Sequence, residues 1–425
     1  MTRLLESIQL LRPKSLMQRT PSSGTAIAVD DGVAARPAEE SLWRLFWIVS
    51  GFSALSWGGL ALMAQLESHY VERRGLLTRP EYADLVALAW MTPGPVGCNV
   101  AVQLGHTVRG RCGAWVAGAA SVLPFFIVMT LFAIFYRSPS IRAIASPTLL
   151  AHFSVVLASL IAVTWWKQTR TLVSGRLERG ATVAATAVLA LSPHPAAYVA
   201  LLGSAFLLGW CTGNAGTDAD AEKFKATRVD WTLAAALVAA LALFVVQIPG
   251  PWEKALLWPR LAGAGMTLFG GGFSALPVLK SLFVTPALGV SESDYHLAFA
   301  LSPISPGPLL NVVPFLGYMI QGWPGAIAAT LAFFVPSGCL VVLAQRHLRR
   351  LKKHTRFGHG MRVLRAVTTA FLAVAVLHIA SRVPLQPVYL LTAGFALVAF
   401  GKLKLPVYLV YGLVFVACVG APAQL

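Results

Sequence analysis

Two short motifs carry residue types that could do chemistry: Thr92-Pro93-Gly94-Pro95 and Ser305-Pro306-Gly307-Pro308. Each lies within an apolar stretch long enough to cross a bilayer. Proline removes a backbone donor and clashes with the preceding turn, and glycine adds backbone freedom. Together they break a helix in mid-membrane. Broken backbone at that depth is tolerated only where it is buried in protein or lines a cavity. The half-helix beyond a break presents unpaired N–H groups and the positive end of the helix dipole. That is an anion site needing no charged side chain. Residues Gly94 to Asn99 and Gly307 to Asn311 start such half-helices, and Asn99 and Asn311 add amide donors. Two termini converging from two halves suit a tetrahedral dianion. A kink or a close helix contact would also use Gly and Pro, but it gives no reason for both copies to keep the Asn.

Other residues flank these breaks. Gly58-Gly59 and Gly270-Gly271-Gly272 are expected as surfaces of close approach, with hydroxyls from Ser53, Ser56, Thr267 and Ser274 beside them. Packing alone explains bare glycine pairs equally well. Arg109, Arg111 and Lys280 are the cations placed to attract an anion, or else loop-edge anchors. Glu81 and Asp294 each stand twelve residues before a Pro-Gly-Pro, next to Tyr82 and Tyr295. They could titrate at a cavity mouth, but helix-capping acids are the commoner use of such positions. His106 could protonate near neutral pH. Asp294 is the last carboxylate in the chain, and no acid falls clearly inside an apolar span. A cation carrier or carboxylate proton relay normally places one there, so an anionic cargo is favoured. The five cysteines form no CxxC pair and the histidines are scattered. Neither a metal site nor a cofactor is expected, and an intramembrane enzyme acting on lipid headgroups lacks a visible nucleophile–base pair.

The elements that position these residues follow from composition. The chain has 425 residues, 56% hydrophobic, and only 12% are charged, against about 25% for a soluble domain. This is the profile of an all-α polytopic membrane protein. The net charge of +17 fits basic loops that set topology better than nucleic-acid binding. Spans are expected at about 43–66, 84–106, 112–135, 148–166, 180–192, 195–211, 231–248, 258–282, 295–320, 323–344, 362–380, 384–400 and 404–420, each judged against the ~20 residues that cross a bilayer. The pair at 180–211 reads equally as two spans or one re-entrant pair.

The two halves repeat. Gly58-Gly59 matches Gly271-Gly272, Glu81-Tyr82 matches Asp294-Tyr295, and Pro93-Gly94-Pro95 matches Pro306-Gly307-Pro308, all 213 residues apart. One residue is then lost, and Asn99, Gly105, Gly110 and Pro124 match Asn311, Gly317, Gly322 and Pro336 at 212. The expected organisation is a flexible cytoplasmic tail (1–41), a first repeat (42–211), a linker (212–230), a central inverting helix (231–249) and a second repeat (250–420). Thirteen spans make the second repeat enter from the opposite face, the layout of inverted-repeat transporters. On that count the loops on the N-terminal side hold 26 Lys and Arg and the others 8, which predicts the N-terminus inside the cell and the C-terminus outside. Eight of these bases, from Arg346 to Arg365, form one basic stretch suited to anionic lipid.

With these residues in view the chain resembles the chromate ion transporter family in its long, two-domain form. The resemblance rests on Trp57-Gly58-Gly59 and Phe269-Gly270-Gly271-Gly272. It also rests on the run from Pro93 through Asn99, Gly105, Gly110 and Gly113 to Pro124, and on its copy from Pro306 to Pro336. It implies a transporter of small inorganic oxyanions in the bacterial inner membrane, exporting chromate and conferring resistance, with a homodimer as an allowed assembly. Where family members carry a Pro and a polar residue after the first Gly-Gly, this chain has Leu60-Ala61-Leu62-Met63. That departure keeps another anion, such as sulfate, as the alternative cargo.

Overall fold

Two fold-backs per half decide how the helices are laid out. The structure, a computed structural model, describes residues 40–56, 58–138, 147–191, 194–213, 228–246, 252–269, 272–308, 310–346, 355–381 and 383–420. The expected tail, most of the expected linker, Gly270 and Gly271 lie outside these. The described residues form helices and turns, without a strand.

The first fold-back joins α1 (Leu42–Ala54) to α2 (Gly59–Glu67), which runs on as a wide π-turn over Ser68–Arg73. Phe52 and His69, seventeen residues apart, meet edge-on with ring centroids at 5.6 Å, so α2 returns alongside α1. The second joins α3 (Arg79–Met91) to α4 (Val96–Arg137). There the Gln103 side-chain amide donates to the Leu85 carbonyl at 3.0 Å. The Tyr82 hydroxyl ties the two hairpins together by donating to the Met63 carbonyl at 2.6 Å.

Helix α4 is itself two limbs. Arg109 (φ −137°, ψ 22°) and Gly110 (φ 61°, ψ −149°) leave the helical region, and the limb after them, α4b, turns back on the limb before, α4a. A Cβ on Gly105 would lie 2.2 Å from the Gly113 carbonyl oxygen; in a straight helix those residues would sit ~12 Å apart at ~1.5 Å per residue. Only glycine at both positions permits that contact.

The second half rebuilds each feature. After α5 (Pro147–Leu172), α6 (Arg176–Leu191), α7 (Pro195–Thr212), α8 (Arg228–Val245) and a short α9 (Trp252–Ala255), the chain forms α10 (Leu257–Gly265), a 3-10 turn (Gly272–Ser274) and α11 (Ala275–Phe283). Then come α12 (Glu292–Leu301) and α13 (Val312–Arg346). Tyr295, the mate of Tyr82, donates to the carbonyl of Leu276, the mate of Met63. Gln321 (φ −135°, ψ 17°) and Gly322 (φ 64°, ψ −145°) divide α13 into limbs α13a and α13b, as Arg109 and Gly110 divide α4. The chain closes with α14 (Thr355–Ala380), α15 (Pro387–Gly401) and α16 (Val407–Gly420).

The limbs α4b and α13b run in opposite directions. α4b starts at its own hairpin and ends where Arg137 donates to the Met319 carbonyl at 2.6 Å and the Tyr136 hydroxyl donates to Asp294 at 2.8 Å. Asp294 opens α12 and Met319 nears the end of α13a, so those two arms also lie antiparallel. α13b starts beside Met319 and ends where the Gln345 amide donates to the Thr107 hydroxyl at 2.9 Å. Thr107 is the repeat mate of Met319.

Around this centre, α14 is the most enclosed of the long helices. Thr182 of α6 donates to its Ala366 carbonyl at 3.1 Å, and Tyr198 of α7 meets Phe371 edge-on at 5.5 Å. α5 carries the last two helices through His152 Nδ1 and Thr392 Oγ1, 3.0 Å apart, and through Phe153 against Tyr411, 5.2 Å between centroids. By length and composition, five described helices are fit to cross a membrane: Val96–Arg137, Thr148–Leu172, Pro195–Thr212, Val312–Gln345 and Thr355–Ala380.

Three of the thirteen expected spans are therefore built differently. The stretches 43–66, 84–106 and 295–320 are not helices broken in mid-course; each contains a reversal. The cause is backbone conformation at the breaks, where Gly58 (φ 94°), Gly94 (φ 106°) and Gly307 (φ 98°) take values that L side chains rarely adopt. The stretch 258–282 holds two helices, α10 and α11. The pair expected at 180–192 and 195–211 is two separate helices, α6 and α7.

Candidate anion-binding site

The hairpin tips of one half bind those of the other. Gly58 N–H donates to the Gly307 carbonyl at 3.0 Å, and Gly307 N–H donates back to the Ser56 carbonyl at 2.7 Å. Gly94 N–H donates to the Leu268 carbonyl at 2.8 Å. Each Pro-Gly-Pro thus bonds to the first hairpin of the opposite half, at Ser56 and Gly58 or at Leu268. Each also packs on the opposite long limb. A Cβ on Gly94 would fall 2.5 Å from Ser337 Cβ, and one on Gly307 would fall 2.6 Å from Phe125 Cδ1. Phe125 and Ser337 are repeat mates lying near the midpoints of α4b and α13b. Four broken-backbone tips therefore meet half-way along the two longest limbs.

Their surroundings are polar but neutral. Ser53, Ser56, Thr92, Asn99, Ser121, Thr267, Ser274, Ser302, Ser305, Asn311 and Ser337 are all buried. Ser53 Oγ donates to the Ser121 carbonyl at 2.7 Å, which fixes the end of α1 on α4b. Gly59 lies against Gly97, where a Cβ would come 3.2 Å from Gly97 N. Pro93, Pro95 and Pro308 are buried at the tips, and Pro306 is half-buried.

Asn99 and Asn311 close their own breaks. The Asn99 amide donates to the Pro93 carbonyl at 3.1 Å and reaches Thr92 Oγ1 at 3.5 Å. The Asn311 amide donates to the Ser302 carbonyl at 3.0 Å and the Pro306 carbonyl at 3.4 Å. These donors hold the first turns of α4a and α13a in place.

A cavity of about 580 Å³ connects the first tip to one end of the molecule. It runs between α4a, α4b and α13b, from His106 and Arg111 to Cys98, Asn99 and Ser121, with Val102, Val122, Phe126 and Phe334 among its apolar walls. Of the sequence-predicted residues it brings together Asn99, His106 and Arg111. Arg109 stands in the turn beyond the mouth and is not among its lining residues.

Glu81 and Asp294 are caps. Glu81 accepts from Thr78 N at 2.8 Å while Thr78 Oγ1 accepts from Glu81 N at 3.4 Å. Asp294 and Ser291 make the same box at 3.0 and 3.1 Å. This is the reciprocal capping box. Glu81→Gln should keep an acceptor there, leave transport within twofold of wild type at every pH, and cost less than ~1 kcal/mol of thermal stability; a pH profile shifted in this variant would assign Glu81 to titration instead.

Lys280 lies elsewhere, on α11, against Glu292 of α12 and His378 of α14. His296 Nε2 is 3.5 Å from the same Glu292 oxygen, and His378 Nε2 is 3.4 Å from it. Sequence reasoning missed this group. Glu292 and His296 are one helical turn apart, which was a visible signal, but His378 enters from 86 residues beyond Glu292.

A family model described as Chromate transporter matches the chain twice, over residues 43–258 and 255–421. The chain is 26% identical over 388 residues to a chromate transport protein of Pseudomonas aeruginosa, covering 88% of this chain and 89% of that protein. It is 26% identical over 309 residues to a chromate transport protein of Cupriavidus metallidurans, covering 70% of this chain and 73% of that one. A probable chromate transport protein of Synechococcus elongatus is 24% identical over 345 residues, 79% of this chain and 84% of its own length. No solved structure matches the chain.

Proposed function

The chain belongs to the chromate transporter family, and from that premise we propose that it exports chromate across the cytoplasmic membrane. The relatives named above supply the substrate class. What supports a site at the tips is their pairing between halves, Gly58 with Gly307 and Gly94 with Leu268, at the middle of two opposed limbs. The anion enters from the cytoplasm past Arg111 and His106, moves along the cavity, and meets the first-turn N–H groups of α4a at Val96–Cys98. No carboxylate lies among the buried polar groups at the tips to repel it.

The topology in this reading is two inverted repeats, supported by the opposed directions of α4b and α13b. Each repeat has two hairpins that enter and leave on one side. Nine crossings result: α4b, α5, α6, α7, α8, α13b, α14, α15 and α16. Two hairpins per half leave the parity of thirteen spans unaltered, so the N-terminus stays inside and the C-terminus outside. Loop charge favours the hairpins. They move Arg73, Arg74 and Arg79 to the inner side and Lys280 to the outer, which turns a bias of 26 to 8 into 28 to 6.

Two tests follow. Arg74→Cys, in a background whose five native cysteines are replaced by serine, should stay unlabelled by an impermeant maleimide in intact cells and react fully in inside-out vesicles. Labelling in intact cells would restore the single-crossing form of 43–66. Arg111→Gln should reduce chromate entry about three- to tenfold, with the loss shrinking at high salt as screening shortens the reach of the guanidinium charge. Undiminished entry at low salt would move the inner mouth away from Arg111.

A second anion is favoured by one observation. Leu60-Ala61-Leu62-Met63 forms the first turns of α2, directly after the Gly58 tip, with Leu62 and Met63 buried. Sulfate would then compete with chromate at the same site.

A further inference from the structure

The group on α11, α12 and α14 has four titratable side chains within reach of one another, and the first half keeps only an acid and a base, exchanged in position, with no histidine at the place of His296. The repeat mates of Lys280, Glu292 and His296 are Glu67, Arg79 and Ala83. Something asked of one side of the molecule only is built here. We infer that Lys280, Glu292, His296 and His378 form a proton-binding latch, which takes protons from the outer solution and controls the movement of the hairpin bearing Pro306-Gly307-Pro308. The inference rests on the transport reading and its topology, which put this group at the outer mouth.

The geometry gives the latch two exclusive arrangements. In the one described, the Lys280 ammonium donates to both the Glu292 carboxylate and His378 Nε2. A nitrogen that accepts from an ammonium carries no proton, so this arrangement requires a neutral His378 with its proton on Nδ1. Lys280 thereby staples α11 and α12 to α14. A proton arriving at His378 makes Nε2 a donor. It then repels Lys280 and turns to Glu292 Oε1, already 3.4 Å away. The staple opens, and α11 and α12 are released from α14 by the uptake of one proton and nothing else.

The side chains are graded for that task. Their exposures are 39% for His378, 31% for Glu292, 19% for Lys280 and 15% for His296. A proton landing on His378 can pass to Glu292 and on to His296, which faces the same carboxylate oxygen one turn deeper in α12. Both nitrogens of His296 are buried without a hydrogen-bond partner in this arrangement, and Nε2 is turned toward Glu292. The charged and titratable groups facing His378 include Lys280 and Glu292, with His296 beyond them. α12 ends at Leu301, four residues before Ser305-Pro306-Gly307-Pro308. Movement at its base reaches the tip directly.

The test uses inside-out vesicles, whose lumen is the outer face. Chromate is supplied at fixed alkaline pH to the exposed cytoplasmic face, the potential is clamped with valinomycin and potassium, and only lumenal pH is varied. Wild-type uptake should rise at least fivefold as the lumen falls from about pH 8 to about pH 6, across the ordinary histidine range. The His296→Gln, His378→Gln double variant should equal wild type at lumenal pH 8, which shows that it folds, and should not respond to the lumen. Lys280→Met, which lacks the staple, should be fast at both values. Wild-type uptake indifferent to lumenal pH, or a double variant with the full response, overturns the latch while leaving chromate transport standing. No protein-dependent uptake at any pH would instead defeat the transport reading itself.

Discussion

Gly94→Ala should lower chromate transport more than a hundredfold while the protein still reaches the membrane. Two costs combine. The backbone at Gly94 has φ 106°, a conformation costing an L residue on the order of 1–3 kcal/mol. The new methyl would also stand 2.5 Å from Ser337 Cβ in a fully packed interior, and overpacking of that kind costs about 1–3 kcal/mol more. The chain can relieve both only by withdrawing the tip from α13b and breaking its bond to Leu268. Gly307→Ala should act alike against Phe125. Two further variants separate tip packing from a general loss of stability. Gly75→Ala has φ 59° at the wild-type glycine but open space around it, and it should transport within a few-fold of wild type. Ser337→Gly placed on Gly94→Ala removes the clashing Cβ and should recover at least tenfold of the loss. A normal Gly94→Ala carrier would mean that the tips do not hold the site.

Asn99→Asp should be almost as severe, for a different reason. The substitution deletes the amide donor that closes the break onto the Pro93 carbonyl. It also puts a carboxylate at a position only 1% exposed, beside the first-turn N–H groups. The helix terminus itself would welcome the charge, so folding should survive. The dianion would not: a single charge roughly 5 Å from it at an effective dielectric of about 20 opposes it by on the order of 6 kcal/mol. Transport should fall at least a hundredfold. Asn99→Ser, which keeps a short hydroxyl near Pro93, should lose about tenfold. Equal losses in the two variants, read as chromate uptake per mole of protein, would show that the amide only props the break and that no anion comes near it.

Much of this site was legible in the sequence because its chemistry is local. Pro93-Gly94-Pro95 with Asn99, and the copy at Pro306, announce a helix start through proline and glycine alone. At two places the matched residues do the same thing: Tyr82 and Tyr295 donate to the carbonyls of Met63 and Leu276, and Gly110 and Gly322 both leave the helical region. The capping of Glu81 and Asp294 was readable from Thr78 and Ser291, three residues before each. Direction was not readable. Hydropathy at 84–106 reports that the residues are apolar, and says nothing of whether the chain after Gly94 goes on or turns back. That depends on a positive φ and on Gln103 finding Leu85, which no period encodes. The crossing of tips between halves was equally silent, since Gly58 and Gly307 are 249 residues apart. Lys280 was visible as a cation, but its partners were not, because α14 brings in His378 from the far end of the second half.

In the proposed topology, 43–66 and 84–106 counted as crossings would strand three arginines outside, and counted as re-entrant arms they return those arginines to the side that holds the other basic loops.

Chromate uptake into inside-out vesicles, with and without an imposed potential and with excess sulfate as competitor, tests the central claim most directly. Export of a dianion from the cell is driven by the inside-negative potential at ~2.3 kcal/mol per charge per 100 mV. Protein-dependent uptake that rises with an inside-positive vesicle potential, and disappears in Gly94→Ala, is the predicted result. Vesicles holding folded protein that take up no chromate at any potential would contradict it.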